Sequence, residues 1–265
     1  MMKKCILFTL TIILTTACTK VVDVKLKEAE SRIVIEGLVT DTLPATVRLT
    51  RTVNFYHTGP FPAISGAIVT ITDNTGIKDS LIEDTNNPGF YKGTLIGVTG
   101  RNYFMRVVAE GKEYISSCQL PTPPIVDSLR YVYKPANTFQ QAGYFPVFYG
   151  KDPQDENNFY VINVYRNDTL VIEPGEIWAT DDVGVKEAVN GLEIGILFKS
   201  QDVARVEMFT ITQEVYKYYL GLAMQLQNDG GFFSTPPANA PGNISNGALG
   251  VFQASGMKSA TVKMP

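Results

Sequence analysis

From residue 32 onward, apolar and polar residues alternate in short runs broken by Gly, Pro, Asn and Asp, and this period of two leaves β-sheet as the main structure open to the chain. Strands are expected at 32–40, 45–51, 66–72, 77–83, 89–93, 102–110 and 112–120. Each run presents one apolar face, because successive side chains of a strand point to opposite sides. Two connections carry their own chemistry. Asp73-Asn74-Thr75-Gly76 and Glu110-Gly111-Lys112 supply residues that tolerate positive φ, so both read as β-hairpins.

Pro121-Thr122-Pro123-Pro124 then interrupts the pattern, since proline cannot donate to a ladder and favours an extended spacer, and a domain boundary is expected there. Further alternating runs follow at 126–133, 144–149, 159–165, 192–200, 203–211, 248–254 and 260–263. One segment differs. Across 213–227 Val215, Tyr219, Leu222 and Leu226 recur at helical spacing, with Thr212 as N-cap, Glu214 in the first turn and Asn228-Asp229-Gly230-Gly231 as a stop. Its Tyr216, Tyr218 and Tyr219 are expected to pack on the second sheet, a ligand platform being the alternative. The fold expected is mainly β. An N-terminal immunoglobulin-like β-sandwich at 32–120, without the Cys…Trp…Cys hallmark of antibody domains, precedes a second β-rich domain at 125–265 with one long helix at 213–227.

The first residues follow another logic. Met1-Met2-Lys3-Lys4 is basic and residues 5–17 are uncharged and mostly apolar, the pattern of a signal peptide at 1–17. As a helix this stretch would reach about 20 Å against roughly 30 Å of hydrocarbon, too short for a comfortable span. Leu14-Thr15-Thr16-Ala17-Cys18 resembles the lipobox of bacterial lipoproteins, with the large aliphatic residue one place further from the cysteine than usual. The resemblance implies that Cys18 becomes an acylated lipid anchor and that residues 18–31 form a polar lipidated tether. Cys5 leaves with the signal and Cys18 carries lipid, so Cys118 stands alone, and its alternation with Tyr114 and Leu120 predicts a buried, inert thiol rather than a nucleophile.

Composition excludes several functions. Apolar residues at 45% and charged residues at 18% describe a globular chain, and a net charge of −3 without a Lys/Arg cluster argues against nucleic acid. The single histidine, His57, rules out zinc motifs that need several imidazoles, and no nucleophile elbow, phosphate loop or dinucleotide fingerprint is present. Asp152, Asp155, Glu156, Asp181 and Asp182 are flanked by turn formers and read as solvated turns rather than catalytic acids or calcium ligands. No enzyme activity, metal or cofactor is expected. The candidate binding residues are Phe55, Tyr56 and Phe61 in the aromatic, proline-rich loop 54–62. They could stack on a sugar or dock a protein; the alternative is that they cap their own sandwich.

Taken together, Ile33-Val34-Ile35-Glu36-Gly37, the run from Ile64 to Asp73, Gly89-Phe90-Tyr91, the run from Leu120 to Ser128, Asn158-Phe159-Tyr160, Pro236-Pro237 and the run from Gly242 to Phe252 resemble the Bacteroidetes lipoprotein family of domain of unknown function 4249. The resemblance implies an outer-membrane lipoprotein, on its periplasmic or cell-surface face, with no established enzyme activity and often encoded near TonB-dependent receptors. It also implies an ordered segment at 236–252. The function expected is a non-enzymatic binding or accessory role, with a TonB-dependent receptor or other envelope protein as partner. The alternative is a surface glycan-binding lipoprotein that uses the aromatic loop.

Overall fold

The computed structural model describes residues 30–54, 56–151, 157–171, 176–183, 188–228 and 238–265. The expected signal segment, Cys18 and nearly all of the tether lie outside the described residues. Strands form where alternation predicts them: β1 (Ile33–Thr40), β2 (Thr46–Arg51), β3 (Ile68–Asp73), β4 (Lys78–Glu83), β5 (Phe90–Lys92), β6 (Asn102–Ala109) and β7 (Lys112–Gln119). One layer runs β1–β2–β5 and the other β3–β6–β7, in antiparallel pairs. Strand β4 passes between them, pairing with β3 from Lys78 to Leu81 and with β5 at Ile82 and Glu83. Ile35, Val47, Leu49, Ile71, Tyr91 and Met105 fill the space between the layers. The sandwich is immunoglobulin-like.

Local chemistry fixes its corners. Ala109 pairs with Lys112 across Glu110 at φ 53° and Gly111 at φ 74°, and two positive φ values are the hairpin geometry whose twist matches the flanking strands. The Val98 amide donates to the Tyr103 hydroxyl at 2.6 Å, a tyrosine corner at the start of β6. Asp73 is buried, and its carboxylate accepts from the Thr75 amide (2.9 Å), the Thr75 hydroxyl (2.8 Å), the Ile77 amide (2.9 Å) and Arg101 (2.6 Å). Burial alone would raise its pKa, but the hydrogen bonds from Thr75, Arg101 and the Ile77 amide outweigh it and hold the carboxyl at about 2, against 3.8 ordinarily. A depressed folded pKa stabilises above the unfolded value, and that stability is lost as pH falls toward the folded one. The denaturation midpoint is therefore expected to drop between about pH 4 and about pH 2, and Asp73→Asn to remove that part of the drop, measured by urea unfolding across the interval.

Beyond the prolines come β8 (Ile125–Lys134), β9 (Gly143–Lys151), β10 (Phe159–Arg166), β11 (Thr169–Leu170), β12 (Ala179–Asp181), β13 (Ala188–Glu193), β14 (Val203–Ile211), α1 (Gln213–Leu226) and β15 (Leu249–Lys263). β8, β9 and β13 form a three-stranded sheet in the order β13–β9–β8, and β10 pairs with β11, β12 and β14. A second core of Leu129, Phe148, Val164, Ile196, Phe198 and Val206 lies between these sheets. The strand expected at 192–200 stops at Glu193. At Gly195 the chain kinks, with the Ile196 amide bonded back to the Ile194 carbonyl at 2.7 Å, so Ile194, Ile196 and Phe198 alternate inward without a continuous ladder.

The two runs expected at 248–254 and 260–263 are one strand. β15 pairs in parallel with β1 from Leu249 to Ser255, then antiparallel with β14 from Gly256 to Lys263. Its first half thus belongs to the sandwich and its second half to the other sheet. The core of the sandwich also continues without a break into Val161, Phe209, Ile211 and Val215. Residues Ser31–Pro265 accordingly form one compact unit, and Pro121–Pro124 is not a place where contacts cease. Of the segment expected at 236–252, residues 236 and 237 lie outside the described residues, and the part from residue 238 to β15 packs on the sandwich. Ser245 exchanges two hydrogen bonds with the Ile115 backbone at 2.8 and 3.0 Å, and Asn246 donates to the Glu113 carbonyl, covering the outer edge of β7. Asn243 bonds both the carbonyl and the amide of Phe252, at 2.8 and 2.9 Å. One stretch of chain therefore covers the β7 edge and then the β1 edge.

Helix α1 begins at the expected cap, the Thr212 side chain accepting from the Val215 amide. Val215 is fully buried, but Leu226 on the same face is 53% exposed. Tyr216 stacks on Phe159 of β10 at 4.8 Å, so the helix lies on the second sheet as expected, and all three tyrosines pack on the core that continues from the sandwich through Val161, Phe209 and Ile211. Cys118 is buried beside Tyr114 and Leu120 on the inner face of β7, and burial pushes its thiol pKa up.

Candidate functional site

The inner faces of β1, β2 and β5 are spent on the core, so their outer faces carry the residues free to meet something else. Gly37 faces inward, where a Cβ would stand 2.8 Å from the Phe252 ring, and its neighbours Glu36 and Leu38 therefore face out. Glu36 lies directly across the ladder from Arg48, and Phe90 extends the same face on β5. Helix α1 runs along this surface and encloses a cavity of about 540 Å³, to which it contributes Tyr218, Tyr219, Leu222 and Leu226. The opposite wall comes from β10, Phe209 and Trp178. Aromatic rings, aliphatic chains and the charges of Glu36, Arg48 and Glu176 thus converge from segments far apart in sequence.

A buried polar chain underlies the helix. Tyr219 donates to Gln253 Oε1 at 2.9 Å, and Gln253 Nε2 donates to Ser255 Oγ at 2.7 Å. Burial, followed by the charges of Tyr218 and Glu36, pushes the Tyr219 hydroxyl well above its usual pKa. Burial and then Glu36 act on Tyr218 in the same direction. Both phenols therefore keep their protons at neutral pH and can donate hydrogen bonds. The two rings meet edge to face at 5.5 Å, which orients Tyr218 along the cavity wall. Such an arrangement can bind by stacking, apolar contact and hydrogen bonding.

A second cavity, of about 570 Å³, lies in the other core between the three-stranded sheet and β10, β12 and β14. Phe148, Tyr160, Ile162, Val206, Met208 and Ile194 line it. Trp178 touches both cavities, its indole N–H donating to Glu176 Oε2 at 3.1 Å.

Of the residues expected to bind, Phe55 lies outside the described residues. Tyr56 and Phe61 are each 64% exposed, so they do not cap the sandwich, and neither lines a cavity described above. Their loop is pinned at its base by the Arg51 amide on the Pro62 carbonyl at 2.9 Å, and His57 Nε2 lies 3.0 Å from the Pro60 carbonyl. Among the acids, Asp152, Asp155 and Glu156 lie outside the described residues. Asp182 is buried, not solvated, and accepts from the Asn158 amide at 3.0 Å and side chain at 2.9 Å; Asp181 accepts from the Tyr216 hydroxyl at 3.3 Å. Among the described residues, no group of three or more His, Cys, Asp or Glu is placed to hold a metal ion. Sequence reasoning missed Glu36, Arg48 and Trp178. The outward positions of β1 and β2 were available as a signal, but only the pairing register brings them onto one surface.

Among solved structures, a segment of two fibronectin type-III domains from chicken tenascin is similar at 12% identity, over 68% of this chain and 91% of that one, with a TM-score of 0.23. No curated protein matches the chain. The family model described as Domain of unknown function (DUF4249) matches residues 19–261, and on that coverage the chain belongs to this family.

Proposed function

We propose that the chain is an outer-membrane lipoprotein of the Bacteroidetes type, held by lipid on Cys18, that works by binding an envelope protein rather than by catalysis. The observation that carries the anchor is the start of the family match at residue 19, one residue past the lipobox cysteine. Cys18→Ala is expected to abolish incorporation of labelled palmitate and to move the protein from the membrane to the soluble fraction. Labelling that persists in the variant contradicts the anchor.

The cavity between α1 and the sandwich supports the binding role. Trp, Tyr and Arg dominate the energetics of protein interfaces, and Trp178, Tyr218 and Arg48 surround this opening beside exposed Leu226. A TonB-dependent receptor or another envelope protein is the partner that fits such a tethered surface. A photoreactive residue at Leu226 is expected to capture one envelope protein in intact cells, and Arg48→Glu to abolish that capture. The same probe at Phe139, 97% exposed and away from the cavity lining, serves as control. Equal capture from both positions contradicts the site. A second reading, glycan binding, is favoured by the exposure of Tyr56 and Phe61. Alanine at both positions would remove glycan-array binding if that loop is the site.

A further inference from the structure

The cavity in the second core is unlike an ordinary packing defect. Protein interiors hold few voids larger than a water molecule, so a space of about 570 Å³ walled by Phe148, Ile162, Val206 and Met208 is not a normal packing void. Its volume falls within the range of about 300–1,000 Å³ typical of small-molecule sites. Its lining reaches the surface at Ile125 and Leu192, which are 45% and 54% exposed although both are apolar. The polar groups are few and mostly acidic. Asp181, Asp182 and Glu193 belong to the lining with Lys151 as its one cation, and Glu193 is already paired with Lys134 at 2.6 Å.

We propose that this cavity binds the hydrocarbon chain of an amphiphile whose head group is uncharged or cationic. The walls accept an alkyl or acyl chain by replacing lost contacts with new ones, which a void of this size otherwise forfeits. Three acids against one lysine in the lining disfavour an anionic head and favour a hydroxyl or an ammonium, because like charges held close raise the energy of the complex. The site is distinct from the partner surface beside α1, so either can fail without the other. Trp178, the one tryptophan of the sequence, borders both cavities, so its emission reports binding at either and the variant of the lining assigns the signal to this one.

The test uses the chain from residue 18 with Cys18→Ala, so that its own lipid does not compete, and N-phenyl-1-naphthylamine as the probe. Saturable binding of one probe per chain, with quenching of Trp178 emission, is expected. Dodecyltrimethylammonium should displace it at about tenfold lower concentration than dodecanoate, chain length being equal. Val189→Phe, which enlarges a half-buried side chain of the lining that packs on the second core, should weaken the probe by about tenfold or more without lowering the melting temperature. Should that variant fail to fold, Asp182→Asn with Glu193→Gln tests the same site: probe affinity should hold while the preference for the cationic head is lost. Absence of saturable binding, an undiminished affinity in folded Val189→Phe, or a preference for dodecanoate overturns the proposal.

Discussion

Replacement of Gly250 by valine is expected to prevent stable folding of the entire unit from Ser31 to Pro265. Gly250 sits in β15 at φ 97°, opposite Ile35 in the parallel ladder with β1. A Cβ there would stand 2.1 Å from the Ile35 carbonyl oxygen and 3.0 Å from the Ile35 nitrogen, both backbone atoms that no rotamer change can move. The left-handed backbone alone costs a β-branched residue about 1–3 kcal/mol, and separating the two strands adds lost hydrogen bonds and packing. A total of about 4 kcal/mol or more is a large share of the roughly 5–15 kcal/mol that holds a domain together. Gly66→Ala is the contrast. Gly66 has φ 72° but nothing within 4 Å of its would-be Cβ, so only the backbone preference is at stake, about 1 kcal/mol. Urea denaturation of both variants should separate them clearly. Similar midpoints would mean that β15 does not lie against β1 as described.

A fragment comprising residues 30–124 is expected not to fold, although it contains every strand of the sandwich from β1 to β7. Without β15, the backbone of β1 loses its parallel partner from Val34 to Thr40. The core loses Phe252 and Ala254, both fully buried, along with Val251 and Ile244. Gly37 makes the dependence specific, because the place a side chain would take is filled by the Phe252 ring. Removing one buried phenylalanine to alanine costs about 3–5 kcal/mol, and here ten residues of that core and a ladder leave together. The fragment should show no cooperative thermal transition and poorly dispersed amide resonances. A folded, cooperatively melting fragment would restore the two-domain division at the prolines.

The strands were legible where one face is wet and the other dry. β6 and β7 alternate visibly because Tyr103, Met105 and Val107 point inward while Phe104 and Arg106 do not. β15 was not legible as one strand. From Val251 to Met257 it is buried on both faces, so alternation disappears, and Ser255-Gly256 resembles a break. Its parallel pairing with β1 joins the two ends of the sequence, which local patterns do not encode. Residues 194–198 misled in the opposite way, alternating inward for packing while the chain kinks at Gly195.

The candidate site shows the same limit. Composition drew attention to the loop with Tyr56 and Phe61, since aromatic residues between Gly and Pro stand out locally. The cavity beside α1 draws a few residues each from β1, β2, β5, β10, β15, the helix and the Trp178 segment, none of which is conspicuous alone. Glu36 and Arg48 become neighbours only through the β1–β2 register. The cavity beside α1 includes Val251 and Gln253 of β15, the strand whose two halves hold the sandwich and the second sheet in one body.

Native-state hydrogen exchange under increasing denaturant tests that claim most directly. Amides of β1, β14 and the 251–257 stretch of β15 are predicted to exchange only through global opening, with one common free energy and one common denaturant dependence. Protection of β1 that survives conditions under which β14 and β15 have already exchanged would contradict it.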